Sequence, residues 1–126
     1  MSPRSVIFLS LIMSCQPALS DWYFVSETDY DYLFIDTETL SIDGNFRTIW
    51  GGSELKDNQG DQKSKSSRYL KEYNCSKIQE RILTLTIFSD KGAQGDAIGT
   101  KNFGAWRQVL KNTAANDVLK FVCLMQ

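Results

Sequence analysis

Three cysteines constrain the fold of this 126-residue chain more than any other feature of its sequence. Cys15 lies in a largely apolar N-terminal segment, whereas Cys75 and Cys123 lie far apart in the remainder. If the first segment directs export, the other two cysteines enter an oxidising compartment, where thiols pair. Whether the N-terminal segment directs export therefore decides whether Cys75 and Cys123 are expected to form a disulfide.

The N-terminal segment has the layout of a secretory signal peptide. The basic residue Arg4 comes first, the apolar run Val6–Met13 follows, and small residues precede Asp21. This order predicts a signal peptide over residues 1–20, with cleavage between Ser20 and Asp21.

A second form of export competes with simple cleavage. The stretch Ile12–Cys15 resembles a bacterial lipobox, in which the cysteine is lipidated and becomes the new N-terminus, although Met13 is larger than the residue usual at its position. In either case Cys15 is accounted for, because it is removed or it carries lipid. The remainder, residues 21–126, has the length of one domain and not two.

Two cysteines then remain, and two thiols allow only one intramolecular pairing. We therefore predict a disulfide between Cys75 and Cys123. The bond would close a loop of about fifty residues, which in the chain-entropy model stabilises the fold by about 4 kcal/mol.

Short alternating segments separated by turn residues predict an antiparallel sheet of about five to six strands. In the third segment Phe46 and Trp50 share one face, whereas Ile49 lies on the other, and Gly51-Gly52 indicates a bulge or a close backbone approach. The polar stretch between the third and fourth segments predicts a solvated loop. The predicted strands are Asp21–Glu27, Tyr32–Asp36, Asn45–Lys56, Ser67–Cys75, Gln79–Ser89 and a short sixth, Asp96–Thr100.

The C-terminal segment changes to a helical period. Thr113 is suited to cap the helix, and Asp117 places a negative charge in its first turn. Cys123 lies beside the apolar stripe, so the disulfide would fasten this helix to one face of the sheet. The fold class is α+β. The stripe consists of Val118, Phe121, Val122 and Met125.

The ordered set of segments resembles the surface-adhesin protein E family of Gram-negative bacteria. The stretches that carry the resemblance are "DWYFV", "LFID", "SIDGNFRTIW", "SRYLKEYNCSKIQERIL", "WRQVL" and "LKFVC". The resemblance implies an antiparallel sheet with a disulfide-tethered C-terminal helix, a location in the cell envelope, and adhesion to host surface or matrix proteins. The chain departs from the family pattern before the helix, where Asn112-Thr113 replaces a common Pro-Ser pair.

Catalytic and metal chemistry find little support in the sequence. The chain contains no histidine, which excludes Ser-His-Asp and Cys-His catalysis and His-ligated metals. No phosphate-binding glycine motif occurs, so we expect no catalytic, cofactor or metal site. An enzyme would need two carboxylates facing each other across a cleft, and the candidates are Asp29, Asp31, Asp36 and Glu38.

Aromatic residues in the first hairpin are the better indication of a binding site. Tyr23, Tyr30 and Tyr32 lie there, and tyrosine is favoured at protein interfaces. We expect a protein partner, namely a host matrix or surface component or another envelope protein.

The leading hypothesis is a non-enzymatic, adhesin-type binding module located in the periplasm, in the outer membrane or at the cell surface. The alternative is a soluble periplasmic protein that binds or inhibits another envelope protein. An edge strand that pairs with a second copy would give a homodimer. A net charge of −1 gives no basic face for nucleic acid, and no apolar run after the signal could span a membrane.

Overall fold

The computed structural model describes residues 22–102 and 104–126, which form an eight-stranded antiparallel sheet and a C-terminal helix. The predicted cleavage site and Cys15 lie outside the described residues. The elements are β1 (Tyr23–Glu27), β2 (Asp31–Ile35), β3 (Ser41–Asp43), β4 (Phe46–Leu55), β5 (Ser66–Asn74), β6 (Gln79–Asp90), β7 (Gln94–Asn102), β8 (Arg107–Gln108) and α1 (Ala114–Leu124).

Six strands follow one another across the sheet in the order β1-β2-β4-β5-β6-β7, and β3 and β8 pair with the ends of β4 and β6. The fold class is therefore confirmed: an antiparallel sheet with a C-terminal helix. No helix among residues 22–102 and 104–126 is long and apolar enough to cross a membrane.

Strand alternation gives the sheet two different faces. Ile35, Ile49 and Tyr73 lie on the face covered by α1, here called the helix-side face, and each is 1% exposed. Phe46 and Trp50 lie on the opposite face, here called the open face, as the alternation in the sequence predicts.

Helix α1 begins as the sequence predicts. The Thr113 side chain accepts a hydrogen bond from the Asn116 backbone N–H at 3.1 Å, and Asp117 lies in the first turn. Three of its apolar residues complete the core together with Val109 of the preceding segment. These three are Val118, Leu119 and Val122.

The Cys75–Cys123 disulfide joins the last turn of α1 to the sheet, which confirms the predicted pairing. Cys75 itself lies one residue beyond the end of β5, which spans Ser66–Asn74, so the predicted fourth strand has the right length but lies one residue too far along the chain. The Cys75 N–H donates to the carbonyl oxygen of Asn45, which holds the bridged turn against the start of β4.

Gly51 marks a close approach and not a bulge. Strand β4 pairs with β5 without interruption through Gly51 and Gly52. A Cβ atom on Gly51 would lie 2.9 Å from Cε1 of Tyr69, so the tyrosine ring requires glycine beneath it. Register shifts lie elsewhere in the sheet. One is between β5 and β6, where Leu83 is passed over, and others are between β1 and β2 and between β6 and β7.

Two short strands were not predicted. Strand β3 forms because the turn at Gly44 (φ 62°) folds Ser41–Asp43 back onto β4. Strand β8 is only two residues long, which is too short to show an alternating pattern in the sequence. The predicted sixth strand is longer than expected, because it extends over Gln94–Asn102.

Candidate functional site

Three aromatic rings meet on the open face at the β1 edge of the sheet. The ring of Phe24 lies edge-on to Tyr32 at 6.1 Å and to Phe34 at 5.9 Å. They meet because Phe24 pairs directly with Phe34 across the two strands. Phe24 remains 47% exposed and Tyr32 36%, so this group presents apolar surface to solvent.

A guanidinium group continues the open face towards its centre. The Cζ atom of Arg68 lies 5.4 Å from the centre of the Trp50 ring and 5.8 Å from that of Phe88. Arg68 pairs on one side with Gly52, which has no side chain, and on the other with Thr86. Within the described part of the chain the Arg68 side chain forms no ion pair or hydrogen bond. The contacts that position its guanidinium group are those with the Trp50 and Phe88 rings.

Arg81, on the same face near the start of β6, shows the contrast. Its Nη2 atom lies 2.6 Å from the Glu72 carboxylate, and its guanidinium also lies 4.7 Å from the centre of the Trp106 ring. Trp106 in turn contacts Phe46 at the end of β4. Arg81 is therefore neutralised internally, whereas the charge of Arg68 is not.

We call Phe24, Tyr32, Phe34, Trp50, Arg68 and Phe88 the open-face cluster. Five of these residues were not predicted as binding residues. Alternation in the third predicted strand places Trp50 on the same face as Phe46, but it could not show which face α1 leaves uncovered.

The three predicted binding tyrosines do not form one surface. Tyr23 points to the helix side and stacks on Phe121 of α1, with ring centres 5.0 Å apart. Tyr32 belongs to the open face, and Tyr30 lies in the β1–β2 turn with 62% exposure. Their roles in binding stay a prediction.

The helix-side face also holds a buried charged group. Glu80, whose side chain is 3% exposed, accepts from Lys71 at 3.2 Å and from Arg107 at 2.5 Å. Burial lowers the pKa of the Lys71 ammonium, and the adjacent Glu80 carboxylate opposes this shift. Two cationic partners around one carboxylate form an internal ion-pair network, which indicates a structural role for these groups.

A cleft of about 510 Å³ opens on the helix-side face, between the sheet and the segment that joins β4 to β5. Of the four carboxylates considered for an enzyme, only Asp31 lines it. Asp36 instead caps a short 3-10 turn by accepting from the Glu38 N–H. The described side chains thus place no facing carboxylate pair in this cleft. Nor do residues 22–102 and 104–126 group three acids or cysteines around a common point that could hold a metal.

The model of the family described as surface-adhesin protein E matches residues 22–124. The chain belongs to the surface-adhesin protein E family. The match spans every strand and the helix, including both disulfide cysteines. A search of the curated proteins gives no significant match.

Solved structures of Haemophilus influenzae protein E share the fold of this family member. One superposes with a TM-score of 0.62 at 16% sequence identity and covers 86% of this chain and 93% of that one. Another gives a TM-score of 0.61 at 14% identity, and the match covers 98% of this chain and 90% of that one. At these identities the likeness concerns the fold, and it agrees with the family assignment.

Proposed function

We propose that this family member is exported to the envelope of a Gram-negative bacterium and acts there as a non-enzymatic adhesin-type module. It binds a protein partner, a host matrix or surface component, through the open-face cluster. The family assignment supports an adhesin-like surface protein. The signal-peptide layout of residues 1–20 supports export.

The observation that carries the proposal is the composition of the open face. Tyr, Trp and Arg dominate binding energy at protein interfaces, because they bury large areas and combine apolar contact with a polar group. The open-face cluster contains all three residue types. Of its aromatic rings, Phe24 and Tyr32 are also left exposed to solvent, where a partner could contact them.

Adhesion of the full-length protein to surfaces coated with extracellular-matrix extract tests the proposal. The double substitution Phe24→Ala/Tyr32→Ala should weaken binding at least tenfold, since each ring removed from an interface core costs about 1–2 kcal/mol or more. The matched control is Tyr23→Ala, because Tyr23 is 53% exposed, against 47% for Phe24 and 36% for Tyr32, but lies on the helix side. If both variants lost the same amount of adhesion, or if the unmodified protein did not bind, the proposal that the open face binds the partner would be wrong.

Arg68 tests what the partner contributes. A guanidinium without an internal carboxylate favours a partner that supplies one, through two parallel hydrogen bonds. Arg68→Lys keeps the charge but loses this planar fork, so it should weaken binding nearly as much as Arg68→Gln. If Arg68→Lys binds normally, the charge acts only at long range.

The mass of the protein isolated from envelope fractions tests the proposed location. A chain that begins at Asp21 would indicate a soluble exported form and would favour the periplasmic binding or inhibitory alternative. An acylated chain that begins at Cys15 would indicate a lipid anchor and favour the adhesin. Retention of Met1 would contradict export altogether.

A further inference from the structure

The cleft on the helix-side face has walls that the fold holds in place. The Leu55 N–H donates to the Lys65 carbonyl at 2.8 Å, and the Lys65 N–H donates to the Phe88 carbonyl at 3.0 Å. An ion pair between Asp57 and Lys91 ties the outer part of the wall to the β6–β7 turn. The connecting segment is therefore anchored to the sheet at both of its ends, which hold the cleft beneath it open.

The floor of the cleft combines apolar and hydroxyl groups. Leu55, Leu85 and Ile87 supply an apolar surface. Beside them the hydroxyls of Ser53 and Ser67 hydrogen-bond to each other at 2.7 Å. One hydroxyl hydrogen is used in that contact, so the pair retains one donor and several acceptor positions for a ligand.

The mouth of the cleft adds a carboxylate and an aromatic ring. Asp31 forms no side-chain hydrogen bond or ion pair within the described part of the chain, although it lines the cleft. Burial raises the pKa of the Asp31 carboxyl, and Lys56 opposes the shift. An ionised carboxylate only accepts hydrogen bonds, so it favours a ligand that donates them. Tyr30, at 62% exposure, stands beside it.

The charges at the cleft nearly cancel. Among the described residues that line it, Asp31 is the acidic one and Lys65 the basic one. A strongly charged ligand, either anion or cation, would meet one favourable and one unfavourable charge. The lining thus favours a neutral ligand that has several hydroxyl donors and an apolar side.

We propose that this cleft binds a neutral sugar residue of a glycan. Its hydroxyls would donate to Asp31 and interact with the Ser53–Ser67 pair. Its C–H face would lie against the apolar floor, with Tyr30 flanking it. The volume falls within the range of small-ligand clefts. This site lies on the other side of the sheet from the open-face cluster, so the proposal is independent of protein adhesion.

Saturation-transfer NMR on the full-length protein tests the site with two probes, methyl β-glucoside and methyl N-acetyl-β-glucosaminide, at millimolar concentration. At least one probe should receive saturation from the protein. Asp31→Asn should weaken its binding about tenfold, because a hydrogen bond to a charged acceptor contributes about 1.5–3 kcal/mol. Tyr30→Ala should also reduce the transfer.

The matched control is Asp29→Asn, since Asp29 lies in the same turn but does not line the cleft. Circular dichroism of each variant establishes that it is folded. Absence of transfer to both probes would overturn the proposal. Equal weakening in Asp29→Asn and Asp31→Asn would overturn it too, because the sugar would then contact another surface. Matrix adhesion by Asp31→Asn should be unchanged, so the two proposals fail separately.

Discussion

Removing the Cys75–Cys123 disulfide tests how this small domain is held together. The double substitution Cys75→Ala/Cys123→Ala deletes the covalent tether between α1 and the sheet. Both alanines are small and apolar, so the core around Val122 is little disturbed. The stability of the folded helix then depends only on side-chain packing and its N-cap.

The magnitude follows from the size of the closed loop. The bridged cysteines are 48 residues apart in sequence. In the chain-entropy model a loop of this length lowers the entropy of the unfolded chain enough to stabilise the fold by about 4 kcal/mol. Since small domains are stable by about 5–15 kcal/mol, the variant should lose a large part of its stability. The melting temperature should fall by roughly 15–30 °C.

Urea unfolding measures both the loss and its origin. If the disulfide acts on the unfolded state, its removal should increase the m-value as well as lower the midpoint, because the unlinked chain exposes more surface. The comparison is Leu119→Ala with the disulfide intact, which should cost about 2–5 kcal/mol by leaving a cavity and should leave the m-value unchanged. A loss below about 1 kcal/mol in the double variant, with an unchanged m-value, would refute the reasoning.

Three further predictions concern a glycine, the helix N-cap and two tyrosines. Gly51→Ala should destabilise the protein by about 1–3 kcal/mol in the same urea assay, because the new Cβ would lie 2.9 Å from the Tyr69 ring; no measurable loss would mean that the ring moves aside freely. Thr113→Ala should cost about 1 kcal/mol through loss of the N-cap, whereas Thr113→Ser should be nearly neutral. Burial raises the pKa of Tyr69 and Tyr73, so their contribution to stability is complete below the tyrosine pKa of 10.0 and is lost as pH rises above it. Each should contribute a slope of about 1.4 kcal/mol per pH unit, so Tyr73→Phe should reduce the measured slope by about that amount. Measuring above pH 10.5 removes the opposite contribution of Lys71, whose pKa is lowered by burial.

The fold could be predicted largely from local signals. The turn at Gly44, the N-cap at Thr113 and the change from a period of two to a helical period each depend on a few adjacent residues. The disulfide required only that one cysteine be set aside. Strands β3 and β8 were missed because they are two or three residues long, and pairing with a longer neighbour, not their own alternation, makes them strands.

The binding surfaces could not be predicted in the same way. Tyr23, Tyr30 and Tyr32 are close in sequence, yet they lie on the helix side, in a turn and on the open face. A register shift between Phe24 and Ser26 adds to this separation. Conversely, the open-face cluster draws on strands β1, β2, β4, β5 and β6, which only the register of the whole sheet brings together. A slip of one residue would move each of these side chains to the other face.

The disulfide also explains why the open face stays uncovered. It fixes the end of α1 at the Cys75 turn. The apolar stripe of the helix packs against Ile35, Ile49 and Tyr73 on the helix-side face. The open-face aromatics consequently have no helix to bury them, and Phe24 and Tyr32 remain 47% and 36% exposed. Phe24→Ala/Tyr32→Ala should therefore change the free energy of unfolding far less than a core substitution such as Leu119→Ala. A large loss of adhesion with a small loss of stability is the combination expected of residues that serve a partner and not the fold.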